Sequence, residues 1–288
     1  MTDAASVAMP APRKRTSVHQ PDRFSPGAGP RASRHRRKTQ LVSKPKHLTP
    51  TVVGGLAWAG ALAAAAAVGP VLEAVVVIPV GLVAAISTVR AVGRHPRTHR
   101  PSALAIATSA SLAVALPLAA LGGFAAAAAT AAAGLVAATA VSFLMLQTAR
   151  PEASVFAMVG PAVAAGSVVL AAHQGRNLAL ALIAAVCAYD LGCWVYGSSR
   201  GVGGEAGVAA GVVTVAAVAL FVAAVFVPPF SGFRPWVMFG VIAVLCPGGV
   251  MIAERLTPAG APPALRRIDS LVLAGPFWVA AASLMLHR

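Results

Sequence analysis

Long apolar runs separated by short polar connections fill the chain from residue 51 to its end. Each run is close to the roughly 20 residues that a helix needs to cross the hydrocarbon of a bilayer. Backbone groups in lipid must be paired within the segment, so such runs are expected to be helical. The pattern predicts an all-α membrane protein, a polytopic helical bundle of about nine transmembrane helices. The predicted spans are 51–69, 71–89, 103–121, 124–147, 153–172, 178–198, 206–228, 235–253 and 269–286.

The runs are rich in alanine and glycine and poor in aromatic residues. Small residues allow membrane helices to approach closely, so the pattern predicts a tightly packed bundle. Gly69-Pro70, Gly122-Gly123 and Pro228-Pro229 mark junctions between runs. We divide the bundle into N-terminal helices over 49–175 and C-terminal helices over 176–288.

Residues 1–48 differ from the rest of the chain because they lack hydrophobic periodicity and are rich in proline, serine and arginine. This composition predicts a disordered basic tail on the cytoplasmic side. The tail has no apolar core within the usual reach of the start, so it is not expected to be a signal peptide.

Charge is scarce and unevenly placed. Only 11% of the 288 residues are charged and 58% are hydrophobic, whereas soluble domains carry about 25% charged residues. The net charge of +15 could suggest nucleic acid, but 11 of the 23 lysines and arginines lie in the first 48 residues. Most of the others lie in connections between apolar runs, which is typical of membrane topology, and we expect no nucleic-acid partner.

The basic residues also predict an orientation. With nine spans and a cytoplasmic N-terminus, the inner segments hold 20 of the 23 lysines and arginines and the outer segments hold 3. This satisfies the positive-inside rule strongly. We therefore expect a multi-pass protein of the cell inner (plasma) membrane. The three cysteines show no metal-binding spacing and are expected to be small buried thiols.

Acidic residues are the main candidates for chemistry, because a carboxylate inside a span is costly and is a functional candidate by default. Only eight residues are acidic, and Asp190 lies within the sixth run. It is expected to be protonated, paired or bound to a cation. The alternative is a structural aspartate that hydrogen-bonds to a neighbouring helix.

A glycine-rich connection follows Asp190 and carries Arg200 and Glu205. Exposed backbone N–H groups together with an arginine could hold phosphate. A flexible connection between helices has the same composition, so this feature alone decides nothing.

The segment Leu265-Arg266-Arg267-Ile268-Asp269-Ser270-Leu271 precedes the last apolar run. Asp269 could cap the last helix, and a capping carboxylate can still bind a metal through its second oxygen. The arginines could serve topology alone. If the helices carrying Asp190 and Asp269 are neighbours, the two carboxylates suit Mg²⁺, which binds one or two carboxylates together with substrate phosphates. The residues alone therefore indicate a membrane enzyme or binder that handles a phosphorylated substrate.

This last segment resembles the C-terminal signature of the phosphatidate cytidylyltransferases, which make CDP-diacylglycerol from CTP and phosphatidic acid. Upstream, Asp190-Leu191-Gly192-Cys193-Trp194 with Gly197 is similar to a second element of that family, and the likeness covers roughly the last 110 residues. The matching residues of the last segment are Leu265, Arg267, Ile268, Asp269, Ser270, Leu271, Ala274 and Pro276.

The resemblance implies a role for several residues. Asp190 and Asp269 would hold Mg²⁺, and Arg267 would orient the cluster or contact phosphate. The substrates would be CTP and a phospholipid. The further substrate-binding residues that the resemblance suggests are Arg200, Glu205, Arg266 and Ser270.

The chain also departs from the family pattern. Arg266 stands where the family has an aspartate, Ala261-Pro262-Pro263 replaces His-Gly-Gly, and no lysine follows Lys46. Exchanging a metal carboxylate for an arginine argues against an ordinary two-metal site. Two alternatives therefore stay open: a degenerate relative that binds lipid or a membrane partner, and a small-solute transporter with Asp190 as its ion site. A homodimer is also left open.

Overall fold

The structure of the protein is a computed structural model that describes residues 48–93, 102–144, 150–199, 205–225, 230, 232–257 and 262–286. Within these ranges the chain forms nine α-helices and one 3₁₀ turn, and no strand. The helices are α1 (Leu48–Val68), α2 (Pro70–Gly93), α3 (Ala103–Ala120), α4 (Phe124–Leu144), α5 (Pro151–Gln174), α6 (Arg176–Ser199), α7 (Glu205–Val225), α8 (Arg234–Leu256) and α9 (Leu271–Leu286).

The all-α polytopic bundle is confirmed. Eight of the helices, all except α1, are long and apolar enough to cross a membrane. The apolar part of α1 within the fully described residues, Val53–Val68, is shorter, so the ninth span stays a prediction. Helix α1 already begins at Leu48, the last residue of the predicted tail, and the remainder of that tail lies outside the described residues.

Helix α5 is the centre of the bundle. It packs against α2, α3, α4, α6 and α9. In its candidate span 78% of the residues are buried inside the protein, against 22% in α4 and 22% in α7. Helices of both predicted halves contact each other, since α1 packs on α6 and α5 packs on α9. The lipid-facing helices are therefore at the rim and α5 is enclosed.

Small residues bring α6 and α7 into close contact. A Cβ atom added to Gly192 would lie 2.8 Å from the carbonyl oxygen of Ala210 and 2.9 Å from the Cα of Gly211. One added to Gly211 would lie 2.7 Å from the Tyr189 ring. No side chain fits between these backbones, as expected where glycine permits close approach in a membrane. This contact holds the part of α6 that carries Asp190.

The segment before α9 is held by two features. Gly249 of α8 packs against its backbone, and a Cβ added there would lie 2.5 Å from the Asp269 carbonyl oxygen. Further along, Trp278 packs on Phe230 and Phe239, with ring centroids 5.9 Å and 5.5 Å away. Such tilted and edge-on aromatic contacts favour one docking of α9 on α8. The 3₁₀ turn Leu265–Arg267 packs on α2, and Ser270 after it is held beside Asp190 of α6.

Candidate functional site

Ser270 joins the two aspartates that the sequence singled out. Its hydroxyl donates to Asp190 Oδ2 on α6 at 3.3 Å, and its backbone N–H donates to Asp269 Oδ1 at 2.8 Å. Ser270 directly precedes α9 and is fully buried. Asp269 therefore accepts a hydrogen bond from the backbone N–H of the residue that immediately precedes α9. Two carboxylates far apart in sequence are brought to one place.

The surroundings of the pair are charged but enclosed. Asp269 is only 5% exposed, and Asp190 is half-buried. The two carboxylates are close enough to interact electrostatically, and Asp269 also interacts with Glu254 of α8 and with Arg266. Buried like charges are stable only with a proton, a cation or a basic partner between them. This arrangement is therefore expected to bind a positive group.

Arg267 reaches α1. A Cβ on Gly54 would lie 2.6 Å from its Nη2 atom, and one on Gly55 would lie 3.8 Å from Nη1. The two glycines thus leave room for the guanidinium group against the helix backbone. The Nη1 atom is buried and has no hydrogen-bond partner among the described residues. A guanidinium with free donors is suited to an anion such as phosphate.

A cavity connects the arginine with the aspartate. It lies between α1 and α6, has an internal volume of about 40 Å³, and is lined by Trp58, Asp190, Trp194, Arg267 and Leu271 among others. A second, more open groove of about 600 Å³ lies between α1, α2 and the turn before α9. Its lining is apolar apart from Arg267, which it shares with the first cavity. A ligand in the groove and a water-sized group in the cavity could reach the same guanidinium.

Five of the seven predicted site residues therefore lie in one region. Asp190, Asp269 and Ser270 are linked directly, while Arg266 and Arg267 lie on the adjoining turn. Arg200 lies outside the described residues. Glu205 opens α7, but its side chain lies outside the described part of the structure.

The contribution of α1 was missed from the sequence. Gly54, Gly55 and Trp58 line the spaces around Arg267. The sequence feature that could have indicated this role is a glycine pair followed by a tryptophan within an alanine-rich run. Trp194 on α6 entered the sequence analysis only as part of a motif. In the structure it packs on this region, since a Cβ added to Gly55 would lie 2.7 Å from its ring.

The donor set fits a hard cation only in part. No group of three or more His, Cys, Asp or Glu side chains that could hold a metal occurs in the described part of the chain. Two carboxylates nevertheless meet the usual protein contribution to a Mg²⁺ site, where water and substrate phosphates complete the ligands. Asp190 and Asp269 would hold such an ion.

Comparison with known proteins adds no relative: no family model, curated protein or solved structure matches the chain.

Proposed function

We propose that this membrane protein catalyses nucleotidyl transfer of the phosphatidate cytidylyltransferase type. A phosphate oxygen of phosphatidic acid would attack the α-phosphorus of CTP. A new P–O bond forms at the α-phosphorus. The bond between the α-phosphorus and the oxygen that bridges the α- and β-phosphates breaks, and pyrophosphate leaves. The product is CDP-diacylglycerol.

One observation carries the proposal: Ser270 links the carboxylates of Asp190 and Asp269 beside a cavity into which Arg267 also faces. Oxygen ligands for a cation and a donor for phosphate are thus adjacent. Transfer of a phosphoryl-type group depends mainly on positioning and on neutralising charge, so this pairing is what the reaction needs.

The chain's own residues have separate tasks in this proposal. Asp190 and Asp269 bind the cation, and Ser270 sets their orientation. Arg267 binds the phosphate, and Gly54 and Gly55 keep space for its guanidinium group. Bound Mg²⁺ would supply charge neutralisation on the triphosphate. The apolar groove shared by α1 and α2 leaves a route for the acyl chains towards Arg267.

A second candidate is binding of a phosphorylated lipid without turnover. It is favoured by the interaction of Asp269 with Arg266, because a cationic side chain stands where the family pattern has a carboxylate. An arginine next to Asp269 can replace the cation in neutralising the carboxylate. The site would then hold a phosphate headgroup but lack the charge needed for transfer.

Turnover of labelled CTP by the purified full chain in phosphatidic acid vesicles, with and without Mg²⁺, tests the proposal. We expect Mg²⁺-dependent lipid labelling that Asp269→Asn lowers by at least tenfold, because about 1.4 kcal/mol of lost transition-state stabilisation has that effect. Glu152→Gln is the matched control, since Glu152 is an exposed acid in the first turn of α5. Its turnover should equal that of the wild type.

Two further variants test the phosphate contact and separate the candidates, respectively. Gly54→Ala should displace the Arg267 guanidinium and weaken phosphate binding, whereas Gly60→Ala, with nothing within 4 Å of an added Cβ, should not. Arg266→Asp restores a third carboxylate. No turnover in wild type or Arg266→Asp, with phosphatidic acid still raising the melting temperature, would support binding without transfer. No turnover and no ligand-dependent stabilisation would refute both candidates.

A further inference from the structure

We propose that Glu73 is a proton-binding site, occupied by a proton in the folded protein and separate from the site at Asp190 and Asp269. Glu73 lies in the first turn of α2, within a helix that can cross a membrane. It plays no part in the function proposed above.

The burial of Glu73 is complete. Its exposed fraction is 0%, and it is among the largest fully buried side chains of the described residues. Neither carboxylate oxygen has a hydrogen-bond partner there. An ionised carboxylate without water, hydrogen bonds or a cation is among the costliest groups that a fold can enclose. A bound proton removes the charge and with it most of that cost.

The position of Glu73 in the bundle identifies the groups that could neutralise it. Val89 and Val92, late in α2, pack with Ala153 and Ala157, early in α5, so the two helices run antiparallel. Gly81 faces Ala165, because a Cβ on Gly81 would lie 3.1 Å from the Ala165 Cβ.

The contact between Gly81 and Ala165 shows which residue of α5 lies at the same height as Glu73. Because the helices are antiparallel, Glu73, eight residues before Gly81, is level with His173, eight residues after Ala165. A Cβ on Gly123, in the α3–α4 turn, would lie 3.3 Å from His173 Nε2. His173 is therefore at the same end of the bundle, but it is exposed and makes no hydrogen bond to Glu73.

The described elements packed on α2 bring no charged partner to Glu73. In the described residues of α1 and α3, which also pack on α2, no Asp, Glu, Lys, Arg or His occurs. The 3₁₀ turn Leu265–Arg267 packs on α2 as well, but its Arg267 lies beside Gly54 and Val83, away from the first turn of α2, and its Arg266 interacts with Asp269. Helix α5 has only Glu152, at its opposite end, and His173. Without an ion-pair partner, the proton is the neutralising ligand that the local chemistry supports.

Glu73 is also remote from the first site. Gly54 lies beside Arg267 near the start of α1, and Glu73 follows the turn at Gly69 that ends α1. The intervening helix rises roughly 20 Å at 1.5 Å per residue. The two sites thus occupy opposite ends of α1, and loss of one should leave the other intact.

Infrared spectroscopy of the full chain in lipid vesicles tests the proposal. At about pH 7, an exposed glutamate is ionised. We expect the spectrum of the wild type minus that of Glu73→Gln to contain the carbonyl band of a neutral carboxylic acid. The Asp190→Asn and Asp269→Asn variants should each retain this band. Glu73→Asp should retain a band at a shifted frequency, and it provides the test if Glu73→Gln does not fold. A difference spectrum with only carboxylate bands would overturn the proposal.

Thermal unfolding gives an independent readout. When unfolding exposes Glu73, the side chain loses its proton above its ordinary titration range, so the unfolded state gains from rising pH and the folded state does not. The melting temperature of Glu73→Gln should therefore exceed that of the wild type by more at about pH 8 than at about pH 5. Exposed Glu152→Gln should show no such trend. A difference that does not vary with pH would overturn the proposal.

Discussion

Ser270 illustrates how a single small side chain can determine a polar cluster inside an apolar bundle. It is fully buried, and its two donors serve two different carboxylates. Hydrogen bonds to charged acceptors are stronger than those between neutral groups. The same residue sits immediately before α9, so the position of the cluster depends on where that helix begins.

Ser270→Ala is expected to lower the free energy of unfolding by about 1–3 kcal/mol, because Asp190 loses a buried donor. Equilibrium unfolding in detergent or thermal unfolding in vesicles measures the change. Ser142→Ala is the matched control. Ser142 is also buried, but its hydroxyl has no hydrogen-bond partner among the described residues, so its removal should be neutral or stabilising. Equal effects of the two substitutions would contradict the bridging role of Ser270.

Asp269, Arg267 and Glu73 differ in how many hydrogen-bond and charge partners their side chains have. Asp269 has a backbone donor and charged neighbours, Arg267 keeps a buried Nη1 without a partner, and Glu73 has no partner for either oxygen. Buried polar groups are usually satisfied in native structures, so the unpaired atoms of Arg267 and Glu73 point to a ligand. The ligands that we propose are a phosphate for Arg267 and a proton for Glu73, and for Asp269 we propose a cation.

At the scale of elements, the contact between α6 and α7 keeps Asp190 in place. Glycine at 192 and 211 lets the two backbones meet, and Thr214 on α7 donates its hydroxyl to the Ala188 carbonyl at 2.6 Å. Close packing and interhelical hydrogen bonds are the forces that associate helices in lipid, where the hydrophobic effect between them is absent. This interface is therefore sensitive to added volume.

Gly192→Ala should destabilise the protein by about 1–3 kcal/mol, the usual range for overpacking a core. The added methyl group would meet a backbone carbonyl and a backbone Cα, neither of which can rotate away. Gly240→Ala, on α8, is the control, since nothing lies within 4 Å of its added Cβ. We expect that change to be neutral or stabilising by up to ~1 kcal/mol because alanine favours the helix. Similar melting temperatures for both variants would show that α6 and α7 separate readily.

Helix α1 has two roles at the level of elements. Its first half holds the space for Arg267 through Gly54 and Gly55 and contributes Trp58 to both cavities. Its second half, including Leu62 and Ala66, packs into the main apolar core. The helix therefore belongs to the bundle even though its apolar part is shorter than the other spans.

At the scale of the whole molecule, the number of crossings decides on which side each terminus lies. Eight helices meet the length and hydropathy of a span, and α1 is the ninth candidate. Nine crossings place the termini on opposite sides, and eight place them on the same side. Nine crossings with a cytoplasmic N-terminus place 20 basic residues inside and 3 outside, so the positive-inside rule favours nine.

Single cysteines at Ser6 and Arg288, in a chain with Cys187, Cys193 and Cys246 replaced by alanine, should label from opposite sides of sealed vesicles. We expect the residue-6 site to be cytoplasmic, because the positive-inside rule places the basic tail there. A membrane-impermeant maleimide measures the accessibility. A chain without introduced cysteines is the control for background labelling. Labelling of both sites from one side would mean that α1 does not cross the membrane.

The helices and their approximate bounds could be read from the chain, for a local physical reason. A run of apolar residues long enough to cross the hydrocarbon must satisfy its own backbone, and a helix does so without help from any other segment. The predicted second span, 71–89, corresponds to α2 (Pro70–Gly93), and the predicted last span, 269–286, corresponds to α9 (Leu271–Leu286). The cost of a carboxylate in such a run likewise drew attention to Asp190 and Asp269 before any contact was known.

Neighbour relations were decided only by the tertiary structure. Helices that are almost uniformly alanine, valine and leucine carry little pattern to show which faces meet, since many pairings bury similar surface. The link through Ser270, the recess for Arg267 at Gly54 and the isolation of Glu73 each depend on contacts between segments distant in sequence. The apolar run that contains a residue predicts how deep the residue lies in the membrane and how much its charge costs. Whether a partner repays that cost depends on the helix packed beside it, which no local pattern specifies.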